Sequence, residues 1–122
     1  MIIQQDDSSA TYQIQRYETG KIWINQQCYT TSVIVRPHSL SSWHPMKLNE
    51  VTSEHFVSLL DMKPQILLLG TGPQLIIPSQ ELLLPLFEKG IGVEFMDSRA
   101  ACHTYTVLAA EERNVAACIL IT

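Results

Sequence analysis

The chain has 122 residues, 46% of them apolar, which is enough to bury one core, and we read 1–122 as a single α/β domain. Its formal charge is −4 with no basic cluster, which excludes nucleic-acid binding, because neutralising phosphates takes several Lys or Arg on one face. No apolar run approaches the ~20 residues that crossing a bilayer requires, so no integral membrane segment is expected.

The opening residues lack the basic start and apolar centre of a secretory signal. Asp6 and Asp7, with no Arg before Arg16, argue equally against a mitochondrial transit peptide, and residues 1–9 are expected to be flexible. Residues 11–17 and 21–29 alternate as strands, with Glu18-Thr19-Gly20 as the hairpin turn between them. Residues 31–36 are β-branched and predict a third strand. The serine- and proline-rich stretch 37–45 predicts a loop.

Residues 50–62 change period and predict a helix. Thr52 is its cap, Val51 and Phe56 form a hydrophobic staple, Phe56, Leu59 and Leu60 make the apolar stripe, and Pro64 is the stop. The continuous aliphatic run 66–69 reads as a strand covered on both faces, the usual state in a parallel sheet. After Gly70-Thr71-Gly72, residues 75–77 suggest a short extended piece. Pro78 and Ser79 open a helix that Pro85 should kink and Gly90 should end. Residues 92–96 predict a strand and 98–113 a helix. The helix would bury Ala101, Cys102, Tyr105, Leu108, Ala109 and Glu112, with Asn114 closing it in a left-handed conformation. Residues 115–121 predict a last strand, apolar on both faces. The fold class is therefore α/β, a mixed β-sheet with an N-terminal β meander, a C-terminal parallel βαβαβ part and helices packed on the sheet.

A strand ending in Gly70-Thr71-Gly72 raises the question of a phosphate cradle. A dinucleotide fingerprint needs a third glycine at position 75, which is Leu75, and a helix starting there. A P-loop needs Gly-Lys-Ser/Thr, which is absent, so a tight corner is the better reading. If strands 66–69 and 92–96 run parallel, Gly70, Thr71, Gly72 and Asp97, Ser98, Arg99 flank one crevice, the place where open α/β sheets bind ligands. Arg99 suits a small anion there, and its pairing with Asp97 is the plainer alternative.

Other constellations carry less chemistry. His38 and His44 lack companions at metal spacing, so no metal site is expected, and no cofactor. No serine sits in G-x-S-x-G, so no catalytic residue is assigned. The three cysteines, Cys28, Cys102 and Cys118, are far apart and read as reduced, buried thiols of a cytoplasmic protein. Glu94 belongs either to a covered strand, where it needs a partner, or to an exposed edge. Trp43 is either a partner anchor or a lid over the core.

The blocks LLLGTGPQLIIP (67–78), KGIGVEFMDS (89–98) and AACHTYTVLAAEERNVAACIL (100–120) resemble one small family, and the likeness extends from residue 12 to residue 120. It includes the mitochondrial complex I assembly factor 3 and many single-domain bacterial and archaeal proteins. Gly70, Thr71, Gly72, Pro73, Glu94, Met96, Asp97, Ser98, Ala101, Thr104, Tyr105, Leu108, Glu111 and Arg113 carry the resemblance. Thr106 stands where the family pattern has Asn, so no side-chain amide is expected in a pocket there. The resemblance implies a mixed-sheet α/β sandwich, no established enzymatic activity, and action through protein contacts. A non-enzymatic, assembly-factor-like interaction protein is thus the leading expectation, linked to respiratory complex assembly and with a protein partner. The alternative is a binder of, or enzyme on, a small anionic metabolite in the crevice.

Overall fold

The computed structural model describes residues 10–122, so the expected flexible stretch 1–9 lies outside the described residues. Three short strands come first: β1 (Ile14–Glu18), β2 (Lys21–Ile24) and β3 (Gln27–Tyr29), an antiparallel meander. The expected single strand 21–29 is in fact two. Asn25 and Gln26 both take positive φ, 51° and 71°, the requirement of a type I′ turn. Without glycine the turn is held by side chains. Asn25 Oδ1 accepts from the Gln13 N–H, and Gln15 Oε1 accepts from the Gln26 N–H.

The remaining strands are β4 (Val33–Arg36), β5 (Ser39–Ser42), β6 (Ile66–Gly70), β7 (Gly92–Met96) and β8 (Val115–Ile119). They form one sheet in the order β5-β4-β8-β6-β7. β6 runs parallel to both β7 and β8, while β4 is antiparallel to β5 and β8. β5 corrects the expectation of a loop over 37–45. Its serines show no strand pattern because it is a polar edge strand, formed by backbone pairing with β4 across the Pro37-His38 turn.

Residues 50–62 are less regular than expected. Two 3₁₀ turns, Leu48–Glu50 and Ser53–Phe56, precede the short α1 (Val57–Met62). Thr52 does cap the second turn, and its N–H donates to His55 Nδ1 at 2.9 Å, so a histidine fills the usual Glu/Gln role of a capping box. Lys63, left-handed at φ 47°, ends α1 just before Pro64. Helix α2 (Gln80–Glu88) is capped by Ser79 and continues through Pro85. Residues 75–77 join no sheet.

Helix α3 (Ser98–Ala110) stops earlier than 113. Glu112 N–H donates to Ala109 C=O and Arg113 N–H to Leu108 C=O, both at 3.0 Å, a Schellman closure with Glu112 left-handed at φ 61°. Glu112, not Asn114, therefore takes the left-handed position, and it is exposed rather than part of the buried stripe. Asn114 instead accepts from Arg36 and donates to Lys63 C=O.

Alternation along the central strands divides the core between two faces. Val33, Val35, Leu68, Ala117 and Ile119 meet α3 and the meander. Ile34, Leu67, Leu69, Ala116 and Cys118 meet Phe56, Leu59, Leu83 and Leu86 from the α1–α2 side. Leu67, Leu68 and Leu69 are fully buried, each contributing about 1.5–3 kcal/mol relative to exposure. That is the two-sided burial of a central parallel strand.

Candidate functional site

At the carboxyl ends of β6 and β7 the crevice residues come together, but as a joint. Gly70 lies so close to α3 that a Cβ there would be 2.9 Å from Ser98 Oγ, 3.0 Å from Ser98 Cα and 3.1 Å from Ala101 Cβ. Only glycine lets helix and strand approach this closely. Thr71 N–H donates to Met96 C=O and Ser98 N–H to Gly72 C=O, both at 2.8 Å, lacing the two strand ends together. Ser98, fully buried, accepts from the Gly72 N–H at 2.9 Å and donates to Leu120 C=O at 2.8 Å. Thr71 Oγ1 donates to Gln74 C=O and accepts from the Ile76 N–H. Asp97 caps α3 by accepting from the Ala100 N–H at 2.8 Å.

These polar groups are thus engaged within the chain. The expected convergence of Arg99 with Thr71 and Ser98 does not occur. Successive helical positions are turned about 100° apart, so a buried Ser98 sends Arg99 round toward β1. Its guanidinium carbon lies 5.4 Å from the centre of the Tyr17 ring. Arg99 makes no ion pair with Asp97 either, among the described residues. Tyr17 is buried with its hydroxyl unpartnered, and burial raises its pKa.

The open concavity lies on the α1–α2 side of the same sheet end. A groove of about 730 Å³ is lined by Leu48, Val51, Thr71, Ile76, Leu82 and Thr122, among others. Thr71 follows β6 and Thr122 follows β8, so the groove opens at the carboxyl ends of two parallel strands. Lys47 and Glu81 are its charged wall residues. Its lip is the segment 73–78, where Leu75, Ile76 and Ile77 are 56%, 50% and 75% exposed. Three aliphatics in a row outside any sheet were the signal in the sequence. They suggest a short extended piece there, and no strand among the described residues pairs with it to cover them.

The remaining candidates have structural posts. Trp43 is a buried lid, its indole N–H donating to His55 C=O at 3.0 Å and its ring against Phe56. His38 Nδ1 lies 3.1 Å from Thr11 Oγ1, and His44 stacks on His55. No group of three or more His, Cys, Asp or Glu among the described residues could hold a metal ion. Cys102 and Cys118 are buried, and burial pushes the Cys102 thiol up to about 12, whereas Cys28 is exposed, contrary to expectation. Glu94 lies exposed on β7.

A family model described as "Protein of unknown function (DUF498/DUF598)" matches residues 14–120. A 13 kDa major membrane protein of Francisella tularensis subsp. holarctica is 30% identical, the match covering 99% of this chain and 99% of that relative. No helix among the residues described here is long and apolar enough to cross a membrane. The NADH dehydrogenase (ubiquinone) 1 alpha subcomplex assembly factor 3 of Danio rerio is also 30% identical, over 97% of this chain and 69% of the relative. A crystal structure of a Bordetella parapertussis protein superposes with a TM-score of 0.86 at 30% identity, covering 93% of this chain and 98% of that one. The chain belongs to the DUF498/DUF598 family, and complex I assembly factor 3 is among its relatives.

Proposed function

We propose that this protein acts by protein contact in the cytoplasm, as an assembly-factor-like component with no reaction of its own, and that it helps build an NADH dehydrogenase-type respiratory complex. The observation that carries this reading is the exposed aliphatic run Leu75-Ile76-Ile77, of which Ile76 and Ile77 line an open groove. Solvent-exposed aliphatics at adjacent positions around a concavity are the signature of a surface that a partner covers. Covering the exposed part of each side chain would contribute about 1 kcal/mol, roughly half of a full burial. Kinship with the assembly factor supplies the class of partner.

A photo-cross-linking residue placed at position 77 in the host cell tests this. Capture of NADH dehydrogenase subunits is expected, together with a fall in assembled complex when Ile77→Asp replaces the wild type. Ile77 is 75% exposed, so that change should alter folding stability by no more than about 0.5 kcal/mol. An unchanged amount of complex with a folded Ile77→Asp protein would refute the proposal.

A further inference from the structure

An open sheet has edges, and unpaired edge backbone is a template for another strand unless something blunts it. Three of the four described edges are blunted. β5 is short and serine-rich and follows Pro37; β1 carries Arg16, Glu18 and a register shift after Ile14; β3 has only three residues. β7 is different. It is five residues long, in unbroken register with β6, without proline, and Glu94 is its one charge.

Its outward groups can be identified. Gly92 N–H donates to Gln65 C=O at 3.2 Å, and Met96 C=O accepts from Thr71 N–H at 2.8 Å. In a parallel ladder alternate residues serve one neighbour, so 92, 94 and 96 bond to β6 while Val93 and Phe95 turn their N–H and C=O outward. The side chains alternate as well. Val93 packs against the α1–α2 cluster, which puts Phe95 on that face, and α2, which carries the exposed Leu84 and Phe87, contacts β7. Phe95, Phe87 and Leu84 are 36%, 47% and 50% exposed. Glu94 lies on the opposite face with no ion pair or side-chain hydrogen bond among the described residues.

We propose that β7 is a strand-addition site for an extended segment of a partner protein, one with apolar residues toward α2 and a Lys or Arg opposite Glu94. Main-chain bonds to Val93 and Phe95 would supply the register, and alternate side chains the selectivity. An antiparallel strand bonded to residues 93 and 95 sets its intervening residue opposite Glu94 at the closer, non-hydrogen-bonded spacing, where opposite charges attract most. The same geometry disfavours a second copy of this chain. The self-pairing that uses all four outward groups sets Glu94 against Glu94, and like charges directly opposite are destabilising. The inference shares with the proposed function the idea of a protein partner but uses a different surface, so cross-linking at position 77 and the following experiment fail independently.

The labelled full chain is titrated with short synthetic peptides of alternating valine and threonine, carrying either a central lysine or a central glutamate. The lysine peptide should slow amide exchange at Val93 and Phe95 by about tenfold at saturation. It should bind about fivefold tighter than the glutamate peptide, and Glu94→Lys should reverse that order. Val93→Pro removes an outward donor that no internal bond uses, so it should abolish binding. No slowing with either peptide at millimolar concentration would overturn the proposal. So would slowing that ignores the charge reversal, or protection of Val93 and Phe95 without peptide that dilution removes, which would identify a second copy instead.

Discussion

Replacing Ser98 by alanine separates a ligand-binding corner from a structural joint. If Ser98 served a ligand, its loss would spare the fold. In the structure its hydroxyl is fully buried between the Gly72 N–H and the Leu120 C=O, at 2.9 and 2.8 Å. Removing it leaves two buried polar groups unpaired, and the single-atom space is too small for water to take over. At about 1–3 kcal/mol for each orphaned group, the expected loss is about 2–6 kcal/mol. A domain of this size has only about 5–15 kcal/mol to lose. With a urea slope of about 2 kcal/mol per molar, the unfolding midpoint, followed by Trp fluorescence, should fall by about 1–3 M. Gly70→Ala probes the same joint from the other side, because its new methyl group meets Ser98 Oγ at 2.9 Å and Ser98 Cα at 3.0 Å. Overpacking of that kind costs about 1–3 kcal/mol. The two changes should be less than additive, since Ser98→Ala removes one of the two closest clashes. A Ser98→Ala protein within about 0.5 kcal/mol of wild type would refute the joint.

Two further outcomes concern the buried titratable groups. Under native conditions a thiol reagent should modify one cysteine, Cys28, and after denaturation all three, since Cys102 and Cys118 are buried; rapid native labelling of Cys102 would contradict the packing of α3 on β1. Stability should also fall as pH rises above 9. Burial raises Cys102 from 9.0 to about 12 and raises Cys118 and Tyr105 as well, so the unfolded chain loses these protons first and alkali favours unfolding. Each group contributes at most about 1.4 kcal/mol per pH unit, for Cys102 between its unfolded and folded values, and Cys102→Ala should flatten the urea-midpoint profile there.

How much of this was legible in the sequence depended on the range of the interaction concerned. β6 and β8 could be read because each carries its own apolar run, β7 because Gly90 and the helix start at Ser98 bracket it, and the caps at Thr52, Ser79 and Gly90 because capping is local. The division of β2 from β3 was hidden because the turn at Asn25-Gln26 lacks glycine and relies on Gln13 and Gln15. β5 was hidden because its strand character comes from β4 and not from its serines. The close contact at the crevice was hidden for the same reason over a longer distance. Gly70 and Ser98 look like two halves of a pocket wall, but their function is to touch, and contact between residues so far apart follows from packing of α3 on β6. Leu75-Ile76-Ile77 reads as extended from its aliphatics, and hydropathy cannot say whether a strand partner exists.

The two faces of the central sheet differ in a way that bears on both proposed contacts. On one face the meander, α3 and Tyr105, whose hydroxyl donates to Tyr12 C=O at 2.7 Å, close over the strands. On the other, α1 is only six residues long and α2 leaves Leu84 and Phe87 exposed, with Val57, Ile76 and Ile77 also uncovered. A short helix and an irregular lip cover less sheet than a meander and a thirteen-residue helix. Exposed apolar surface therefore collects on the α1–α2 face, from the groove at β8 and β6 to the edge at β7. One partner large enough to span α2 could use both, inserting into the groove while a flanking segment pairs with Val93 and Phe95. Joint engagement would make each contact raise the local concentration of the other, so weakening either should weaken both in the full complex while the isolated peptide still binds β7.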